Sequence, residues 1–172
     1  TMRECGMLLP VASLPSKYGI GAFSKEAYEF IDTLKEAGQH YWQILPFGPT
    51  SYGDSPYQSF SAFAGNPYFI DLDKLVEDGL LTKEECDSAD FGSNPRDIDY
   101  GKIYFNRFPL LRRAYERWLK DGHTAAEARE KLWSETVEYC FYMAVKKQNK
   151  GRSWTEWKEE NRLQTREARE RL

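Results

Sequence analysis

Two short apolar runs, residues 6–14 and 41–45, each followed by a proline, flank a single amphipathic helix. No other feature of the chain constrains its fold as much. Strands joined by one crossover helix pair in parallel, with a right-handed connection. Neither run alternates with polar residues, so both faces of each strand are expected to be covered, as in a barrel or a doubly wound sheet. Between the runs, Ser24 is a suitable N-cap, Glu26 sits in the first turn, and Phe23 and Tyr28 have the spacing of a hydrophobic staple. Ala27, Phe30, Ile31 and Leu34 share one helical face, and Gly38 is placed to end the helix in the left-handed conformation.

Charge divides the chain. Residues 1–72 carry 4 basic and 7 acidic side chains, whereas residues 73–172 carry 20 of each. The second part therefore reads as solvated helical surface and the first as an interior or a site. Within residues 39–70 Asp54 is the only charged side chain, among nine aromatic residues. In the charged part, Thr82 with Glu85 and Ser153 with Glu156 fit capping boxes. Residues 103–119 have helical period, and Pro109 is expected to kink or split them. Residues 125–147 read as one long helix with Leu132, Val137, Phe141, Tyr142 and Val145 inside. Thr165 caps a final helix that is still running at Leu172. Two strands cannot close a parallel sheet, so the expectation is the N-terminal part of a larger protein.

Several function classes are disfavoured. A net charge of −3 and a pI near 5.5 leave no electrostatic footprint for nucleic acid or an anionic membrane. No apolar run reaches the ~18 residues of a membrane span, and Pro10 interrupts the only stretch that could resemble a secretory signal. Cys5, Cys86 and Cys140 are odd in number and dispersed, which reads as free thiols in a cytoplasmic protein. With only His40 and His123 and no clustered cysteines, no metal site is expected.

Residues 18–24 (YGIGAFS) approach the glycine-rich fingerprint of a nucleotide site, but Ser24 replaces the third glycine and no acid ends the second strand. Glycines of an ordinary βα loop explain them better. Residues 48–58 (GPTSYGDSPYQ) follow the carboxyl end of the second strand, where parallel α/β folds place their active face. Gly48, Pro49, Gly53 and Pro56 set the backbone, while Ser51, Asp54, Ser55 and Gln58 stand between Tyr52 and Tyr57. Sugars offer apolar faces to aromatic rings and hydroxyls to carboxylates and amides, so the mixture suits a carbohydrate. It also suits a structural loop with packed tyrosines and an Asx-turn at Asp54. Phe60, Phe63 and Phe69 read as core, and Trp154 with Trp157 as the apolar side of a helix. No nucleophile motif is present. Retaining glycosyl transfer needs two carboxyls about 5 Å apart, and this loop holds only Asp54.

Residues 48–72, GPTSYGDSPYQSFSAFAGNPYFIDL, resemble the N-terminal hallmark of the 4-α-glucanotransferases, the amylomaltases or disproportionating enzymes. GMLLPVASLPSKYGIG and AGQHYWQILPFGP resemble the same family's opening strands, and DYGKIYFNRF and SWTEW fit it more loosely. Pro10 departs from the histidine of many members. The resemblance implies an α/β fold, the N-terminal part of a (β/α)8 TIM barrel. Residues 1–72 would supply its first two parallel strands and crossover helix, and residues 73–172 a mostly helical inserted subdomain. It implies transfer of α-1,4-glucan segments between maltodextrins through a covalent glucosyl-enzyme, with no cofactor and no metal. The catalytic acids belong to later strands, so this chain would hold no catalytic residue and be inactive alone. Its partners would be a maltooligosaccharide and the missing C-terminal part of the same polypeptide. By resemblance, Tyr57 lies under the sugar at the scissile bond, Ser55 contacts it nearby, Tyr52 belongs to an accessory glucan site, and Asp54 organises the loop. The alternatives are a non-catalytic glucan-binding fragment and a nucleotide-binding α/β enzyme.

Overall fold

The computed structural model describes residues 3–50 and 53–171. The chain forms two compact units, Thr1–Thr124 and Ala125–Leu172.

In the first unit, strands β1 (Gly6–Leu8) and β2 (Tyr41–Gln43) pair in parallel, with Met7 opposite Trp42. Helix α1 (Lys25–Glu36) connects them, as the strand–helix–strand pattern requires. Both strands are shorter than their apolar runs. The Leu9 N–H still donates to the Gln43 carbonyl at 3.0 Å, but Pro10 has no N–H to continue the ladder. The chain turns there into a 3-10 segment, Val11–Ser13. Val11 and Leu14 are thereby buried against Ala27 of α1, with Phe30 and Trp42 alongside in an edge-to-face pair at 5.1 Å.

Three expectations for this region need correction. Ser24 occupies the N-cap position, but its hydroxyl donates to Glu26 Oε2 at 2.5 Å instead of accepting a backbone N–H. Phe23 packs on Phe47 and Phe69 while Tyr28 is exposed, so the staple pair is apart. Ile31 is exposed, as are Met7, Leu8 and Tyr41, so the sheet is not covered on both faces among the described residues. A single helix can shield only one side of a two-stranded sheet. Gly38 does end α1 with φ +69, its N–H donating to the Lys35 carbonyl and that of Gln39 to Leu34.

Helices α2 (Leu72–Glu77), α3 (Lys83–Asp87) and α4 (Tyr100–Lys120) complete the unit. Asp71 caps α2 through the Asp73 N–H, Thr82 and Glu85 form a complete capping box on α3, and Asp99 caps α4 through the Lys102 N–H. Helix α4 presents Ile103, Arg107, Leu110 and Ala114 to the core at helical spacing. They meet Tyr18, Ile20, Tyr68, Leu72, Leu81, Cys86 and Phe91. Pro109 does not split the helix. It removes the N–H that would bond the Phe105 carbonyl, and it lies on the exposed side, where water can serve that carbonyl.

In the second unit the expected long helix is two, α5 (Ala125–Glu130) and α6 (Ser134–Gln148). Trp133 is extended (ψ 148°) and begins α6 as its N-cap, with Glu135 in the first turn, so Leu132 is exposed instead of inside. Phe141 and Val145 are buried with Trp157 and Ala168, and Tyr142 packs against the indole of Trp157 at 5.1 Å. The Ser153 N–H donates to Glu156 Oε2 at 3.1 Å. Short helices α7 (Glu159–Arg162) and α8 (Arg166–Glu170) follow, the latter capped by Thr165 through the Ala168 N–H.

Candidate functional site

Four segments of the first unit converge on one cleft of about 200 Å3. The carboxyl end of β1 supplies residues 10–13, and the carboxyl end of β2 supplies Leu45, Pro46 and Thr50. The 3-10 turn Pro67–Phe69, with Asn66 before it, forms a third side, and Ile98 with Tyr100 at the start of α4 forms the fourth. Both strands thus deliver their carboxyl ends to the same place, where ligands bind in parallel α/β folds.

The loop after β2 folds back on itself. Thr50 and Ser59 make an antiparallel bridge, the Phe60 N–H donates to the Pro49 carbonyl, and the Asn66 N–H donates to the Phe47 carbonyl at 2.9 Å. Gly48 makes this return possible, because a β-carbon there would stand 2.4 Å from Ser59 Oγ and 2.8 Å from the Ser61 carbonyl. Asp54 adopts φ +54, a left-handed conformation that Asp tolerates better than most residues. It is half-buried and is the only acid among the described residues that line the cleft. Ser55 shapes the next turn, its hydroxyl accepting the Tyr57 N–H at 3.4 Å and its carbonyl the Gln58 N–H at 3.1 Å. Tyr57 is 72% exposed in this loop and does not line the cleft. Ser51 and Tyr52 lie outside the described residues. Phe60 and Phe63 are exposed and Phe69 half-buried, so the apolar stretch after the loop is not the core element its composition indicates.

Asp54 stands near two phenols that sequence reasoning does not single out. Burial pushes the Tyr68 hydroxyl up to about 12, and the Asp54 charge adds to the shift. Tyr100 moves in the same direction, again mainly by burial and then by Asp54. Their rings are 6.2 Å apart. Both phenols are therefore proton donors throughout the neutral range, beside the Asp54 side chain. Tyr68 is held by its own N–H bond to Asn66 Oδ1 at 2.9 Å, an Asn-Pro turn legible in sequence. Tyr100 comes from a helix far along the chain and has no local signal. The residues of β1's loop were hidden because they read as strand. The glycine-rich stretch before α1 is taken up by packing, the Gly21 N–H donating to the Ala12 carbonyl at 3.0 Å. Among the described residues no group of three His, Cys, Asp or Glu could hold a metal ion, and no helix is long and apolar enough to cross a membrane.

The cleft combines one carboxylate, two neutral phenols and apolar walls of proline, leucine and phenylalanine. It can bind hydroxyls and apolar faces together, but one carboxylate cannot act as both nucleophile and acid/base. A family model described as 4-alpha-glucanotransferase matches residues 9–172. The 4-alpha-glucanotransferase of Streptococcus pneumoniae is 50% identical over 160 residues, which are 90% of this chain and 31% of that protein. That of Clostridium butyricum is 49% identical over 164 residues, 94% of this chain and 33% of that protein. The chain thus spans about a third of the length of the curated relatives it matches. Among solved structures, an amylomaltase from Streptococcus agalactiae in complex with acarbose superposes with a TM-score of 0.85 at 38% identity, covering 96% of this chain and 34% of its own. The chain belongs to the 4-alpha-glucanotransferase family.

Proposed function

We propose that this chain contributes the substrate-binding side of a (β/α)8 4-α-glucanotransferase that moves α-1,4-glucan segments between maltodextrins by a retaining double displacement. Residues 1–72 begin the catalytic barrel, with 48–58 as the sugar-binding loop, and residues 73–172 form the helical insertion. The enzyme works in the cytoplasm. The observation that carries this reading is the cleft itself. It lies at the carboxyl ends of two parallel strands and pairs Asp54 with Tyr68 and Tyr100, in a chain whose structural relative binds acarbose.

In this reading Asp54 accepts hydrogen bonds from sugar hydroxyls and the phenols of Tyr68 and Tyr100 donate them. The exposed ring of Tyr57 stacks on a sugar face, and Ser55 and Tyr52 complete the contacts. Exchange of hydrated C–H surface for an aromatic face is worth ~1 kcal/mol by analogy with aromatic pairs. Each charge-assisted hydrogen bond adds about 1.5–3 kcal/mol. The two carboxyl groups of the double displacement come from the rest of the barrel, whose strands also cover the apolar side chains of Met7, Leu8 and Tyr41. By itself the chain is a glucan-binding piece, since Asp54 is the single acid among the described residues that line the cleft.

A chimera tests this directly. The matching third of the Streptococcus pneumoniae enzyme is replaced by this chain, and maltotriose disproportionation is followed by release of glucose and longer maltodextrins. The chimera should be active and the 172-residue chain inactive. A folded chimera without transfer, or a pure chain with it, overturns the reading.

A further inference from the structure

Arg107 is 1% exposed in the stripe that α4 turns to the core, between Ile103 and Leu110. Its Nη2 donates to the Ile70 carbonyl, while Nε and Nη1 have no acceptor among the described residues. Taking a guanidinium out of water is expensive, and leaving its N–H groups unmatched adds to the expense. A leucine or methionine would suit the stripe better if packing were the only requirement. Burial pulls the Arg107 pKa down to about 10, and the charge of Asp71 opposes that pull.

What the arginine holds is the back of the cleft. Residues 66–71 present Asn66, Tyr68 and Phe69 to the cleft and then start α2 at Asp71. Their own hydrogen bonds are short-range, Phe69 N–H to Asn66 and Ile70 N–H to Pro67. Two backbone struts reach them from elsewhere, the Asn66 N–H donating to the Phe47 carbonyl at 2.9 Å and the Phe23 N–H donating to the Phe69 carbonyl at 3.1 Å, and neither holds the end of the segment at Ile70. The Ile70 carbonyl is where the segment meets the charge of α4. We propose that Arg107 is a positioning residue for the cleft, its guanidinium clamping the Ile70 carbonyl beside Asp71 so that Tyr68 faces Asp54. The functional meaning of this clamp rests on the glucan-binding reading above; the clamp itself does not.

The competing view is that Tyr68 is placed by packing alone, on Phe108 at 5.8 Å and Tyr100 at 6.2 Å. The test compares Arg107→Met and Arg107→Lys with Ile103→Ala, which damages the same buried stripe but removes no hydrogen bond to Ile70. Amide hydrogen exchange is measured on the 172-residue chain. The readout is the rate at Tyr68, Phe69 and Ile70 relative to the amides of α4. Arg107→Met should raise that ratio about tenfold or more, Arg107→Lys should restore part of the protection, and Ile103→Ala should leave the ratio unchanged. If Arg107→Met does not fold, Arg107→Lys decides by the same ratio, since a lysine retains the charge but loses the fork. A ratio unmoved in the folded arginine variants overturns the clamp. In parallel, maltoheptaose binding is measured by calorimetry below all the melting temperatures. Arg107→Met should bind about tenfold more weakly and Ile103→Ala as the parent does. A parent chain that binds no maltoheptaose counts against the glucan reading, while the exchange ratio still judges Arg107.

Discussion

Glu85 receives both terminal nitrogens of Arg117, Nη1 at 2.7 Å and Nη2 at 2.8 Å, while its carboxylate also closes the capping box on the Thr82 N–H. Arg113 adds a third guanidinium contact at 3.0 Å. One side chain thus starts α3 and ties it to α4. The pair is bidentate, the geometry in which an arginine–carboxylate contact near the surface contributes most.

The Arg117 hydrogen bonds, followed by the Thr82 backbone bond, hold the Glu85 carboxyl down to about 2. A folded value below the unfolded one, near 4.3, stabilises the fold above the unfolded value and loses that contribution as pH falls toward 2. Glu85→Gln should therefore lower stability at pH 7 by about 1 kcal/mol, the upper end for a partly solvated pair. The gap between parent and variant should close between pH 4.5 and 2. Urea unfolding at several pH values measures it, and a gap independent of pH would remove the charge from the explanation.

Tyr57 is exposed, so its removal should spare the fold. In the active chimera Tyr57→Ala should lower transfer efficiency by one to two orders of magnitude, roughly 1.4–2.7 kcal/mol, with an almost unchanged melting temperature. A large loss of melting temperature with normal specific activity in the folded fraction would make Tyr57 a packing residue.

Asp54 carries both a charge and a left-handed backbone, and two substitutions separate them. Asp54→Asn keeps a residue that tolerates φ +54 and should leave stability nearly unchanged while weakening maltooligosaccharide binding about tenfold. Asp54→Val adds a β-branched side chain where φ is positive and should cost a further 1–2 kcal/mol or so. Equal stability of the two variants would show that the loop backbone relaxes freely at this position.

Gly48→Ala should be destabilising by about 1–3 kcal/mol, because its new methyl group meets Ser59 Oγ and the Ser61 carbonyl. Ser59→Ala in the same chain should recover only part of the loss, since the Ser61 carbonyl belongs to the backbone. Thermal melts of both variants check this, and full recovery would locate the whole clash at the Ser59 hydroxyl.

Features that depend on neighbours within a few residues could be read from the chain alone. The parallel pairing of β1 with β2 follows from a helix placed between two apolar runs, because a crossover of that length permits little else. The Thr82–Glu85 box, the Thr165 and Asp71 caps and the Gly38 stop rest on side chains and backbone one turn apart. Asp54 stood out by being the single charge in an aromatic window, and it does line the cleft. The long hallmark at residues 48–72 was enough to point to the family, and the comparisons show the chain belongs to it. What only the tertiary structure decided is which distant residues meet. Pro10 ended β1 early and turned an expected strand into a cleft wall. Phe60 and Phe63 stayed outside although their apolar character said core, because burial depends on what packs above a residue, not on its own hydrophobicity. Tyr100 reached the cleft and Arg107 the Ile70 carbonyl from α4, a segment whose sequence reads as charged helix. A helical period says which side chains share a face but not what that face will touch, and that choice is made by packing across the whole chain.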